Sequence, residues 1–137
     1  KKTFTIPRLE LLGNVVLSSL IRTVYNSFSE EIIIKEIYCW SDSLITLSWI
    51  KCIKKEYNPF VQNRVIKIRN NVNHALWNFC STKENVAEII TKFNSHDLLK
   101  NTMWWDGPLF IKTLKEESLK DQKLCENILF NDENRYK

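Results

Sequence analysis

The chain is 137 residues long, 44% hydrophobic and 26% charged, with two glycines and three prolines. This composition is typical of one folded domain, and it excludes a disordered or collagen-like chain. The formal net charge of +4 permits contact with nucleic acid, but a solvated, slightly basic surface is the preferred interpretation of charge alone.

Hydrophobic periodicity predicts the elements of the first third of the chain. Apolar residues recur at helical spacing from Leu9 to about Tyr25, and Pro7 can open this helix. The polar stretch from Asn26 to Glu31 indicates a loop. The β-rich run from Ile32 to Trp40 predicts a central strand.

Helix-capping residues, a proline and a polar turn predict the remaining elements. Ser41, Asp42 and Ser43 are helix-capping types, so a short helix is expected to follow them. Pro59 can open another helix, and a polar turn precedes the last helices. The predicted elements are helices at Leu44–Ile50, Phe60–Asn70, Val86–Phe93 and Ser95–Lys100, and a strand at Ala75–Cys80.

The order helix, strand, helix, helix, strand, helix predicts an α/β fold with a small sheet. An isolated pair of strands is marginally stable, so we expect partner strands before Lys1. The sequence becomes highly charged after about Lys112, which predicts a tail or a linker.

Cysteines and histidines are scattered along the chain. No two cysteines form a C-x-x-C pair, and neither histidine stands at a metal-ligand spacing from them. The pattern predicts a reducing compartment and no zinc site. The residues concerned are Cys39, Cys52, Cys80, Cys125, His74 and His96.

Three acidic residues occupy positions from which carboxylates can converge. Glu10 lies in the first turns of an apolar helix, Asp42 follows the predicted central strand, and Glu88 opens the helix after the second strand. Magnesium favours such sets of oxygens, and two ions can support phosphodiester cleavage. Each residue has a structural alternative, helix-dipole complementation for Glu10 and Glu88 and N-capping for Asp42. On the residues alone, the structural alternative is preferred.

Six short motifs follow one another between Thr5 and Pro108. They are T-I-P-R-L-E-L-L at Thr5–Leu12, Y-C-W-S-D-S at Tyr38–Ser43, L-S-W-I at Leu47–Ile50, F-V-Q-N-R-V at Phe60–Val65, a stretch at Trp77–Glu88 that keeps Trp77, Lys83, Glu84, Asn85 and Ala87, and W-W-D-G-P at Trp104–Pro108. In this order they resemble the ribonuclease H-like region of BEL/Pao retrotransposon polyproteins.

The resemblance implies an incomplete ribonuclease H-like fold with a reduced β-sheet, packed helices and a charged C-terminal tail. In this family four acidic residues surround two magnesium ions and the RNA strand of an RNA–DNA hybrid is cleaved. Glu10 matches the glutamate of the first helix, Asp42 matches the aspartate that ends the central strand, and Glu88 stands where the family has its last aspartate. The family's first aspartate belongs to a strand that would precede Lys1. Because Glu88 also adds a methylene group that displaces its carboxylate by about 1 Å, we expect an inactive chain.

Basic residues cluster around the middle connection and the helix after it. Lysine and arginine contacts to phosphates position a nucleic acid without reading its sequence, but a solvated helix face is an equally good interpretation. The predicted nucleic-acid-binding residues are Lys51, Lys54, Lys55, Arg64, Lys67 and Arg69.

The resemblance also implies partners and a setting. The partners are an RNA–DNA hybrid or other nucleic acid and the adjacent reverse transcriptase and integrase regions of a polyprotein. Residues 1–112 would be the partial ribonuclease H-like domain, and residues 113–137 a charged tail or linker toward the integrase region. Magnesium is the implied cofactor, with no small-molecule cofactor and no membrane, in an intracellular, cytoplasmic, virus-like-particle context. A non-catalytic nucleic-acid-binding module and a structural connector remain as alternatives.

Overall fold

The computed structural model describes residues 4–53, 56–92 and 95–112. Within these ranges the chain forms a mixed α/β fold, which confirms the predicted class. The predicted tail at 113–137 lies outside the described residues. The elements are α1 (Ile6–Phe28), β1 (Ile37–Ser41), α2 (Leu44–Lys51), α3 (Pro59–Asn71), β2 (Ala75–Phe79), α4 (Ala87–Lys92), α5 (Ser95–Lys100), α6 (Thr102–Asp106) and α7 (Leu109–Lys112).

Helix α1 extends farther than the sequence predicts. Proline stands in its first turn, where a missing N–H costs nothing. At the other end Ser27 Oγ donates to the Thr23 carbonyl at 3.0 Å, and the Ser29 N–H donates to the Tyr25 carbonyl at 2.9 Å. Because these bonds continue the helical pattern, the predicted loop at 26–31 begins only after Phe28.

Strand β1 starts five residues later than predicted. The Ile32 N–H donates to the Phe28 carbonyl at 2.9 Å, so this residue closes the end of α1. Ile33 is 92% exposed. The strand β2 begins only at Ala75, which pairs with Ile37, and earlier residues have no strand opposite them. The prediction of a strand from Ile32 is therefore wrong for its first part.

The two strands pair in parallel, from Ile37 with Ala75 to Ser41 with Phe79. Parallel pairing requires a crossover connection, and α2 and α3 supply it. The carboxyl ends of both strands consequently lie at the same edge of the sheet. This edge carries Asp42 after β1 and Cys80 after β2.

The core lies between the sheet and the first three helices. Its innermost side chains are at most 2% exposed, and they come from α1, α2 and α3. Cys39 and Trp77 of the two strands belong to the same cluster. None of the helices in the described part of the chain is both long and apolar enough to cross a membrane. The innermost residues are Leu11, Leu47, Val61, Val65 and Ile68.

Helices α1 and α3 run side by side in the same direction. At one end the Arg8 guanidinium lies over the Phe60 ring. At the other end Asn71 Nδ2 donates to Ser18 Oγ at 3.1 Å, and Arg22 Nη1 donates to Asn71 Oδ1 at 3.3 Å. The N-terminal ends of both helices therefore lie on one side of the protein.

Candidate functional site

The first turns of α1 meet the start of α2 through one hydrogen bond. Ser43 Oγ donates to Glu10 Oε2 at 2.5 Å. Ser43 is buried, at 8% exposure, and Glu10 is half-buried. Since Asp42 is the residue directly before Ser43, the fold brings Glu10 to the strand-to-helix junction that holds Asp42.

Several side-chain hydrogen bonds hold the junction together. Ser43 is the N-cap of α2, and its Oγ accepts from the Thr46 N–H at 3.3 Å and lies 2.7 Å from Thr46 Oγ1. The Ser43 N–H donates to Ser41 Oγ at 3.2 Å. The capping role belongs to Ser43, so capping does not account for Asp42. This removes the structural alternative that the sequence left open for that residue.

Asp42 also acts on the neighbouring end of β2. The Cys80 N–H donates to the Ser41 carbonyl at 3.1 Å, which ties the two strand ends together. Burial raises the pKa of the Cys80 thiol above its ordinary value, and the negative charges of Asp42 and Glu84 raise this pKa further. The Asp42 charge therefore acts on a buried thiol that the sequence did not mark as part of the site.

Glu88 does not join Glu10 and Asp42 in a group of three metal ligands. It lies half-buried in the first turn of α4, next to Ile89, which is 4% exposed. Among the residues that the structure describes, no three His, Cys, Asp or Glu side chains form a group that could hold a metal ion. The described residues therefore do not supply the full carboxylate set that the resemblance implies.

The predicted basic residues have different surroundings. Arg69 is a structural group: its Nε and Nη2 donate to the Ile50 carbonyl at 3.0 and 2.8 Å, and Nη2 also reaches the carbonyls of Trp49 at 3.3 Å and Cys52 at 3.0 Å. These carbonyls lie at the C-terminal end of α2, where a cation is favoured. Lys67 is exposed and Lys51 is half-buried.

Two of the predicted basic residues, Lys54 and Lys55, lie outside the described residues. Arg64 is half-buried on α3 and packs against an aromatic ring. Its guanidinium carbon lies 3.5 Å from the centroid of the Phe60 ring, and its Nη1 donates to the Phe60 carbonyl at 2.8 Å. A nucleic-acid contact by these residues remains a prediction.

Comparison with known families gives a match, and it covers the part of the chain that contains Glu10 and Asp42. Residues 1–43 match the family model of the Pao retrotransposon-like RNaseH-like domain. This segment is similar to a Pao-type ribonuclease H-like domain. The Pao match spans α1 and β1 and includes Glu10, Asp42 and Ser43, so it confirms the resemblance for the first two of the six motifs. Searches of curated proteins and of solved structures gave no match.

Proposed function

We propose that the chain is part of a ribonuclease H-like domain of a retrotransposon polyprotein. In its intact form this domain would hydrolyse the RNA strand of RNA–DNA hybrids with divalent cations. The present chain would bind the hybrid without cleaving it. The observation that supports this proposal is the hydrogen bond from Ser43 to Glu10, because it joins Glu10 to the residue that directly follows Asp42.

The residues at the junction have separate tasks in this proposal. Glu10 and Asp42 would hold the metal ion, which when bound supplies an activated water and stabilises the leaving oxygen. Ser43 orients the Glu10 carboxylate through Oε2, and Oε1 accepts no hydrogen bond from the described residues. An oriented carboxylate with an available oxygen is the kind of ligand that magnesium binds.

The same geometry supports the expected lack of cleavage. Two-ion hydrolysis needs enough oxygen ligands to hold both ions about 4 Å apart. Glu88 does not join Glu10 and Asp42 in a metal-binding group within the described residues. We therefore expect a single weak cation site, which is insufficient to position both the attacking and the leaving oxygen.

Two measurements test the proposal. Titration with Mn²⁺, followed by the relaxation of water protons, should show weak binding that Glu10→Gln and Asp42→Asn each reduce at least tenfold. Glu84→Gln, which removes a nearby charge that is exposed, is the control and should leave the binding within twofold. Equal losses in all three variants would contradict the assigned ligands.

A hydrolysis assay completes the test. A labelled RNA–DNA hybrid incubated with the chain and Mg²⁺ should be bound and remain uncut. Robust cleavage that Asp42→Asn abolishes would show that the chain is an active nuclease. Failure to bind the hybrid at low salt would contradict a role on nucleic acid.

A further inference from the structure

Two arginines from different helices pack against one phenylalanine ring. The Arg64 guanidinium carbon lies 3.5 Å from the centroid of the Phe60 ring, and the Arg8 guanidinium carbon lies 5.3 Å from the same centroid. The Phe4 ring lies 5.4 Å from the Phe60 ring and packs against it at a tilt. We call Arg8, Phe60 and Arg64 the arginine clamp.

The two guanidinium groups of the clamp make few polar contacts with the described residues. Within the described residues neither guanidinium forms an ion pair with a carboxylate. Arg64 makes one hydrogen bond there, from Nη1 to the Phe60 carbonyl, and its buried Nε has no partner among those residues. The Arg8 guanidinium contacts the ring. The unpaired Nε of Arg64 is shielded from solvent, so an external anion would have to meet the outer nitrogens of the two guanidinium groups.

The ring fixes both charges near each other. Because both distances end on one centroid, the two guanidinium carbons lie within about 9 Å of each other, and cation–π contact keeps them there. Like charges held in this way repel, and they raise the local concentration of anions.

The clamp lies at the same end of α1 as the candidate metal ligands. Arg8 and Glu10 are two residues apart, so Arg8 contacts α3 while Glu10 contacts the start of α2. Two residues correspond to about 3 Å along a helix axis and about 200° around it, so the two side chains lie on opposite sides of α1. A chain of phosphates would therefore have to cross over the N-terminal end of α1 to touch both the clamp and the Glu10 junction.

We propose that the arginine clamp binds a backbone phosphate of the nucleic acid that the proposed function assigns to this domain. The clamp deepens that function, since it names the contact that positions the strand beside Glu10 and Asp42. Guanidinium groups match phosphate oxygens through paired N–H donors, and a phosphate that contacts both Arg8 and Arg64 would neutralise both. An acidic peptide is the competing ligand, since it carries similar anionic groups. The proposed function gives a peptide no place beside Glu10.

The test is binding of a fluorescein-labelled RNA–DNA hybrid in EDTA, followed by fluorescence anisotropy at several salt concentrations. Without divalent cations the assay reports the clamp separately from Glu10 and Asp42. Arg8→Gln should weaken binding about tenfold, and Arg8→Gln with Arg64→Gln should weaken it further. The slope of log K against log salt should fall by about 1 for each phosphate that the variant no longer neutralises.

Arg22→Gln is the matched control. It removes the same charge from α1, at the end where Arg22 meets Asn71, and should change binding less than twofold. Because Arg64 packs on the ring, Arg64→Lys serves as a second variant that keeps the charge and removes the paired donors. Circular dichroism confirms that each variant is folded.

Three outcomes would contradict the clamp. Arg8→Gln could bind the hybrid as tightly as the wild type, or Arg22→Gln could lose as much hybrid affinity as Arg8→Gln. A labelled polyglutamate peptide could also bind the wild type as tightly as the hybrid does. A titration with inorganic phosphate, followed by NMR of the arginine side chains, distinguishes failure of the clamp from failure of the proposed function. Phosphate shifts at Arg8 and Arg64 without hybrid binding would uphold an anion site and contradict the proposed function. Hybrid binding that the clamp variants leave unchanged would uphold the proposed function and contradict the arginine clamp.

Discussion

Replacing Arg69 by methionine removes the side chain that closes the C-terminal end of α2. The guanidinium makes four hydrogen bonds to three main-chain carbonyls, those of Trp49, Ile50 and Cys52. Methionine has a similar length and helix propensity, so α3 itself should be unaffected. The carbonyls lose their charged donor, and α2 loses the cation that complements its dipole.

The expected loss is large for a half-buried residue. Hydrogen bonds to a charged group contribute about 1.5–3 kcal/mol each, but bonds that share one side chain are not additive, and water can reach part of this site. We expect Arg69→Met to lower the free energy of unfolding by about 2–4 kcal/mol. For a domain of this size that should move the urea midpoint down by about 1–2 M.

Urea unfolding followed by circular dichroism measures this loss. Lys67→Met is the control, because Lys67 is an exposed residue of the same helix, and its replacement should cost less than about 0.5 kcal/mol. Arg69→Lys should recover less than half, since a lysine keeps the charge but lacks the planar fork. If Arg69→Met and Lys67→Met unfold at the same urea concentration, the capping role of Arg69 is refuted.

Further substitutions test other parts of the fold. Ser43→Ala should lower stability by about 1 kcal/mol through loss of the α2 N-cap, measured by the same unfolding assay, and an unchanged midpoint would contradict the cap. Leu47→Ala should cost about 2–5 kcal/mol because Leu47 is fully buried, whereas Ile33→Ala, at a residue 92% exposed, should cost under about 0.5 kcal/mol. Asp42→Asn should lower the pKa of Cys80, because one of the charges that raise it is removed. Thiolate is the reactive form, so iodoacetamide labelling of Cys80, located by mass spectrometry, should rise at a lower pH in this variant, and an unshifted profile would contradict the interaction of Asp42 with this thiol.

Most of the helical framework can be predicted from the sequence. Prolines at Pro7 and Pro59 mark two helix starts, and apolar spacing marks the buried faces behind them. The start of β1 cannot be predicted in this way, because Ile32–Ile34 has strand composition but no strand opposite it. Pairing partners decide where a strand begins, and they are not visible in a local pattern.

The candidate site is predictable to a similar extent. The motif matches identify Glu10 and Asp42, and the structure brings both to one junction. The role of Ser43 follows a visible signal, a capping serine three residues before Thr46. The cap that Arg69 forms on α2 cannot be read from the sequence, since it joins residues about twenty positions apart.

The parallel pairing of β1 with β2 constrains how the chain folds. Each residue of β1 finds its partner about 40 positions later, so the sheet forms only when a long loop has closed. Helices α2 and α3 occupy that loop, and their packing shortens the search before the strands meet. Local helical contacts form quickly, whereas long-range pairing is slow. We therefore expect the edge that carries Asp42 to form late in folding, after helices α2 and α3 have packed together.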